Sequence, residues 1–354
     1  MALTIVSIAY PFAPVGPDAV GGAEQILYQL DHALVHAGHR SIVVACEGSV
    51  VAGTLISVPR VTGQLDENRV KAARARHSKA IAAALECCAV DLVHMHGIDF
   101  HAYMPDAGVP VLVTLHLPVD WYPAEALAST RPDTWLHCVS HSQHACCPKS
   151  PRLLQPIENG VACDLFASLH AKRKFALTLA RICPEKGIHL AIRAAKNAGA
   201  PLLIAGDVFP YAAHQRYFSR EIEPHLDVRR RFIGPIDLQR KRRLLAAARC
   251  LLVPSLAPET SSLVAREALA SGTPVIAFPR GALVETVEHG RTGFLVNDEI
   301  EMAQAINKAE EIDPQGCRNA ARAKFSLARM VRDYLALYDS LGRSTREPPL
   351  LGAA

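Results

Sequence analysis

The sequence predicts an α/β protein built from two Rossmann-like parallel-sheet domains. Three observations carry this. The chain has 354 residues, which fits roughly two domains. Short apolar runs alternate with amphipathic helical stretches from Thr4 to Val296, the pattern of strands linked by crossover helices. The alternation also restarts at Phe175, after a polar stretch from Ala162 to Lys174 that reads as a linker. Residues 1–165 and 166–325 are therefore expected to form two facing domains with a cleft between them.

In the first half, Thr4–Ala9 reads as a buried strand, followed by a loop ending in Gly21-Gly22 and a helix to about Ala37. That helix places Ile26, Leu27, Leu30 and Leu34 on one face and stops at Gly38. Strand, Gly-rich loop and helix make a phosphate-cradle arrangement, although neither Gly-x-Gly-x-x-Gly nor Gly-x4-Gly-Lys is present. Ser41–Ala45 and Leu55–Val58 are the next strands, and Arg69–Ala89 is a long helix. Its early turns are basic, with Arg69, Lys71, Arg74, Arg76 and Lys79; they read as a solvated face or as a contact for anionic lipid. The runs Asp91–His96 and Pro110–His116 both end in histidine. Ligands of open α/β sheets sit at the carboxyl ends of strands, so His96 and His116 are expected in one crevice. Neither stands at metal-ligand spacing from a cysteine or carboxylate, so no metal site is read there. Trp135–Ser140 is the last strand of this half, and Asn159-Gly160 is a turn by its own chemistry.

In the second half, Phe175–Ala180 is a strand, then Arg181-Ile-Cys-Pro-Glu-Lys186-Gly leads into a helix from Ile188. Two cations at a helix start oppose its dipole unless an anion binds there. Pro201–Asp207 is the next strand, passing through Gly206, and Arg231–Ile236 follows. The charge runs within 216–231 and 240–243 read as solvated helix faces. Cys250–Val253 is a buried strand, a polar turn runs from Ser255 to Thr260, and a helix opens near Ser262. Gly272 and Pro274 close that helix before the strand Val275–Ala277. The small polar residues Thr260-Ser261-Ser262 let a ligand approach backbone N–H groups at the helix start. Glu259 and Glu267, on either side, do not favour an anion but do suit hydroxyls. Helices from about Glu299 and Pro314 follow, then an amphipathic one over 326–341, and the chain from Glu347 is expected to fray.

The run Glu259-Thr-Ser-Ser-Leu-Val-Ala-Arg-Glu267, continuing through Gly272-Thr-Pro-Val-Ile-Ala277, resembles the donor-site signature of family 4 retaining glycosyltransferases of the GT-B fold. Gly281-Ala-Leu-Val-Glu285 and Gly290-Arg-Thr-Gly-Phe-Leu-Val296 are similar to the same family. The resemblance covers nearly the whole chain and is firmest from Phe175 to Val296. It implies a sugar-transferring enzyme with a nucleotide-diphosphate sugar as co-substrate, and no cofactor or metal. It gives the donor diphosphate to Arg181 and Lys186, with the amides at Ser261-Ser262-Leu263 and the Gly21-Gly22 turn nearby. Gly206 lines the donor site, Ile236 lies beside the base, and Glu267 takes the ribose hydroxyls. Glu259 and His116 adjoin the transferred sugar; His96 and Asn159 are candidates on the acceptor side. The final helix is implied to return to the first domain. One departure is visible: many relatives carry Phe-Gly where this chain has Ser261-Ser262.

The remaining composition sets limits. Net charge is +4, too mild to argue for nucleic acid. No apolar run is long enough to span a bilayer, and the start lacks the marks of a signal peptide. Ten cysteines without Cys-x-x-Cys read as reduced thiols. The expectation is thus a cytoplasmic enzyme, with peripheral contact at the inner membrane face through the 69–79 region as an option. A carbohydrate, a lipid-linked sugar or a small molecule would serve as acceptor. A nucleotide-sugar epimerase of the same fold, a phosphorylase and a non-catalytic sugar-nucleotide binder are the alternatives. No Asp-x-Asp pair occurs, so protein cations are expected in place of a bridging metal.

Overall fold

The computed structural model describes residues 2–61, 63, 66–167 and 170–343. The chain divides into two compact units, one reaching from the start to Ile157 and taking in the chain again from Val331, the other Glu158–Met330. The expected fraying from Glu347 lies outside the described residues.

The first unit holds a six-stranded sheet of β1 (Thr4–Ile8), β2 (Arg40–Cys46), β3 (Thr54–Val58), β4 (Leu92–Met95), β5 (Val111–Leu115) and β6 (Thr134–Cys138). Its order is β3-β2-β1-β4-β5-β6, with every pairing parallel. Strands of such a sheet are covered on both faces, so they read as unbroken apolar runs; Ile5, Val6 and Ile8 of β1 are all fully buried. Helix Gly22–His36 buries Ile26, Leu27, Leu30 and Leu34, the expected stripe. Helix Glu67–Cys87 is capped by Asp66, whose carboxylate accepts the Arg69 amide. Among the described residues, two of its five early cations have carboxylate partners: Arg74 Nε lies 2.8 Å from Asp99 Oδ2, and Arg69 Nε 3.6 Å from Asp66 Oδ2. Among the described residues, no helix is long and apolar enough to cross a membrane.

The second unit repeats the topology with β7 (Ala176–Leu179), β8 (Leu202–Ala205), β9 (Arg230–Phe232), β10 (Cys250–Val253), β11 (Val275–Ala277) and β12 (Gly293–Leu295). The order is β12-β11-β10-β7-β8-β9, again all parallel. Alternate residues of one strand serve opposite cores: Cys250 and Leu252 join one, Leu251 and Val253 the other. The order reverses at β1/β4 in one sheet and at β7/β10 in the other, so the ligand-binding crevice of each lies beyond those strand ends.

Two expectations need correction. The stretch Ala162–Lys174 is not purely a linker, because Cys163–Phe166 is helical and its Cys163 and Phe166 are buried in the second unit's core. The charge run Arg240–Arg243 is not wholly solvated, since Lys241 is drawn inward to a buried carboxylate.

Candidate functional site

The loops that leave β7 and β10 meet at the second sheet's switch point. Gly187 makes this possible. It has φ +60°, and an added Cβ would lie 2.2 Å from the Pro254 carbonyl oxygen, so only glycine lets the loop after β7 lie on the turn after β10. The Leu256 amide then donates to the Glu185 carbonyl at 2.8 Å. This register brings Lys186 Nζ within 2.5 Å of Glu259 Oε1. Ser255 also donates its hydroxyl to that carboxylate oxygen. Burial alone would raise the Glu259 pKa, but the Lys186 charge and hydrogen bond, the Ser255 hydroxyl and Arg181 together hold it below the usual carboxylate range. Glu259 is therefore an anion at neutral pH. Its backbone is held by Gly281 (φ +57°), where a Cβ would lie 2.3 Å from the Glu259 carbonyl oxygen.

Sequence reasoning gave Lys186 and Glu259 separate ligands; the structure places them on each other. Lys186 keeps further N–H donors for a second anion. Arg181 stands two residues past β7, its guanidinium 5.9 Å from the Phe209 ring centroid. Gly206, at φ +148°, closes β8, and its amide donates to the Gly234 carbonyl at 3.0 Å. A Cβ there would meet the Ala180 carbonyl oxygen at 1.8 Å, so the loop carrying Arg181 depends on a bare backbone beside it. Ile236 is half-buried beyond β9.

The helix Leu263–Ala270 starts where expected and ends at Gly272 in the left-handed region. The amides of Gly272 and Thr273 close its end on Leu269 and Ala268. Its start departs from ordinary caps. Ser262 is itself left-handed, at φ +53° and ψ +67°, without a side-chain capping bond. The Ser261 and Ser262 hydroxyl oxygens are buried and have no partner among the described residues. The amides of the first helical turn have no intrahelical carbonyl to meet, so donors and positive dipole are concentrated there. Further along, Glu267 is buried and paired with Lys241 Nζ at 2.6 Å. Lys241 was missed because nothing distinguishes it within Arg240-Lys-Arg-Arg243.

Arg266 was also missed. It is fully buried in the same helix, paired with Glu158 Oε1 at 3.3 Å, donating to the Asn159 carbonyl, and 4.4 Å from the Phe325 ring centroid. Burial lowers its pKa to about 10 despite Glu158, so it stays charged. It anchors the Asn159-Gly160 segment, which forms no turn, contrary to expectation; the Gly160 amide donates to Met330 Sδ instead, and Asn159 Oδ1 is buried and unpartnered among the described residues.

In the first unit, Gly21 caps helix Gly22–His36 with extended backbone and no side-chain bond. Neither Gly21 nor Gly22 has positive φ. His96 and His116, expected in one crevice, are in direct contact: His96 Nδ1 lies 3.0 Å from His116 Nε2, with stacked rings. They form part of a larger buried group. His94 Nδ1 meets Tyr338 Oη at 2.7 Å, and His94 Nε2 meets Thr114 Oγ1 at 2.7 Å. Thr114 Oγ1 also meets His137 Nε2 at 2.7 Å. Burial lowers the His116 pKa to about 3, with His137 adding to the shift. Both rings are neutral at working pH, since His96 is also held well below its usual value by burial and by His94 and His116. His96 Nε2 is buried with no partner among the described residues.

The family described as "Glycosyltransferase Family 4" matches residues 20–150, and that described as "Glycosyl transferases group 1" matches residues 165–324. This chain belongs to the family 4 glycosyltransferases. A D-inositol 3-phosphate glycosyltransferase of Nocardioides sp. is 37% identical over 124 residues, 33% of this chain and 27% of that protein. A Mycobacterium tuberculosis glycogen synthase is 33% identical over 155 residues, 42% of this chain and 36% of that protein. The matches thus span about a third of these relatives' length. The sucrose-phosphate synthase of Thermosynechococcus elongatus has TM-score 0.77 at 23% identity, covering 97% of this chain and 100% of that one. Anabaena HepE, solved in complex with UDP and glucose, has TM-score 0.74 at 20% identity, covering 96% and 100%. At these identities the likeness is one of fold, and the fold of this family member is GT-B.

Proposed function

We propose that the chain transfers a sugar, with retention, from a nucleotide-diphosphate sugar to an acceptor hydroxyl. The carrying observation is the Lys186–Glu259 pair at 2.5 Å, set at the sheet's switch point where strand ends bind ligands. A cation and an anion side by side suit a ligand that is anionic at one end and hydroxylated at the other. The donor of this reading resembles the UDP and glucose bound by the Anabaena relative. In the reaction the anomeric C–O bond to the diphosphate breaks and a C–O bond to the acceptor forms on the same face. The acceptor proton leaves with the diphosphate.

Negative charge grows on the leaving group, so preorganised donors aimed at it lower the barrier. Arg181, Lys186 and the amides at Ser261-Ser262-Leu263 supply these, with no divalent ion required for the transfer. Glu267, held by Lys241, takes the ribose hydroxyls, and Ile236 flanks the base. Glu259 accepts from the transferred sugar's hydroxyls. His116 and His96 act as neutral hydrogen-bonding groups, because burial keeps both imidazoles unprotonated near pH 7, lowering His116 to about 3 and His96 well below its usual value. Gly21, Gly22 and Asn159 complete the contacts.

The test is a donor screen. UDP, GDP, dTDP and ADP, with their sugars, are compared by thermal shift, since a ligand bound to the folded state raises stability by RT ln(1 + [L]/Kd). The best donor is then incubated with candidate acceptors, and the product anomer is read by NMR. One diphosphate nucleotide should stabilise the protein and yield a product with the donor's anomeric configuration. Inversion, or no stabilisation by any of the nucleotides, overturns the reading.

A further inference from the structure

The loop between Arg181 and Lys186 carries a second constellation that the donor reading does not use. Cys183 is buried, Glu185 is half-buried on the same loop, and His214 comes from the helix Ala212–Tyr217. One ligand atom of each lies within 4.8 Å of the other two. His214 Nδ1 is buried and has no hydrogen-bond partner among the described residues. Thiolate, carboxylate and imidazole together are the donor set of zinc and its borderline-soft neighbours, not of magnesium or calcium.

The geometry points to a zinc-type site on Cys183, Glu185 and His214 that clamps the loop bearing Arg181 and Lys186 to the helix Ala212–Tyr217. With metal–ligand distances of about 2.0–2.3 Å, tetrahedral ligands stand roughly 3.5 Å apart, so the three side chains close by about an ångström on binding. Three protein ligands leave one tetrahedral position for water. The consequence reaches Arg181 by a short stack: its guanidinium lies over Phe209 at 5.9 Å, and Phe209 packs face-on to His214 at 6.2 Å. An ion holding His214 therefore holds the ring on which Arg181 rests. This is a positioning role; no step of the transfer runs through the ion.

Burial, and then the Glu185 hydrogen bond, push the Cys183 thiol up to about 11. Binding must release that proton, so affinity rises with pH, by about tenfold per unit for one proton. Burial, and also Arg181, lower the His214 pKa, with Glu185 opposing, which favours the neutral imidazole that metals need.

The test reads metal alone and contains no nucleotide or sugar, so its outcome is separable from that of the transferase reading. Purified full chain is stripped with a chelator, then titrated with Zn²⁺ against a chromophoric competitor and with Co²⁺ in an absorption cuvette. One equivalent should bind, with a thiolate-to-cobalt charge-transfer band and affinity rising between pH 6 and pH 8. Cys183→Ser should remove that band, and His214→Ala should weaken binding at least tenfold. Glu185→Gln, on the surface side of the loop, is the fallback should Cys183→Ser fail to fold. No stoichiometric binding, or a cobalt spectrum and affinity unaltered by these substitutions, overturns the assignment.

Discussion

Acidification should destabilise the first unit well before its carboxylates titrate. His94, His96, His116 and His137 are buried together; their partners include one another, Thr114, Tyr334, Tyr338 and the Cys138 carbonyl, which His137 Nδ1 meets at 3.0 Å. Burial is the leading cause of each depression, bringing His116 to about 3 and His137 to about 4 from 6.5. The sign follows from proton counting. Above pH 6.5 neither state binds protons at these sites and they contribute no pH dependence. As pH falls below 6.5 the unfolded chain takes up protons that the folded chain refuses, so stability is lost until the folded pKa is reached. At pH 5 this amounts to about 2 kcal/mol for each of His116 and His137. Together they cost about 4 kcal/mol against a typical total of about 5–15 kcal/mol, and His94 and His96 act in the same direction. Both tryptophans, Trp121 and Trp135, lie in this unit, so their fluorescence reports on its unfolding. Urea titrations at pH 7.5 and 5.0 should give a large fall in midpoint. His137→Gln should flatten the slope of stability against pH by up to about 1.4 kcal/mol per unit. A midpoint unchanged between the two pH values, or a slope that His137→Gln leaves untouched, refutes the reasoning.

Three further outcomes are expected. Lys186→Ala and Glu259→Ala should each reduce transfer by at least about 100-fold; both variants should still fold but melt below the parent, because the remaining partner is left largely buried and unpaired, and near-normal turnover would undo their roles. Gly187→Ala should destabilise the second unit by more than about 1 kcal/mol in thermal melts, because the new methyl meets the Pro254 carbonyl at 2.2 Å; an unchanged melt would show that the loop contact does not matter. Arg266→Ala should cost about 3–5 kcal/mol, the usual penalty for removing one partner of a buried ion pair. Glu158 then loses its partner and the Asn159 carbonyl its donor, and chemical denaturation would measure the loss.

Much of this protein could be read from residues in a row. Strands appear because parallel sheets covered on both faces need unbroken apolar runs, and such runs are visible at Thr4–Ile8 and Cys250–Val253. The helix Leu263–Ala270 is legible from Gly272 and Pro274, since helix ends depend on local backbone chemistry. The family, too, could be read locally, through the resemblance of the run Glu259–Ala277 to its donor-site signature. Tertiary structure alone decided which charges meet. Lys186 and Glu259 are 73 residues apart and pair because strand order places β7 beside β10 and Gly187 lets their loops touch. Lys241 looked like its neighbours until the fold turned it toward Glu267. The four histidines came from three strands and acquired their neutrality only by shared burial. A pKa, an ion pair or a metal triad depends on distances across the chain, and those distances are set by packing, not by any one stretch of residues.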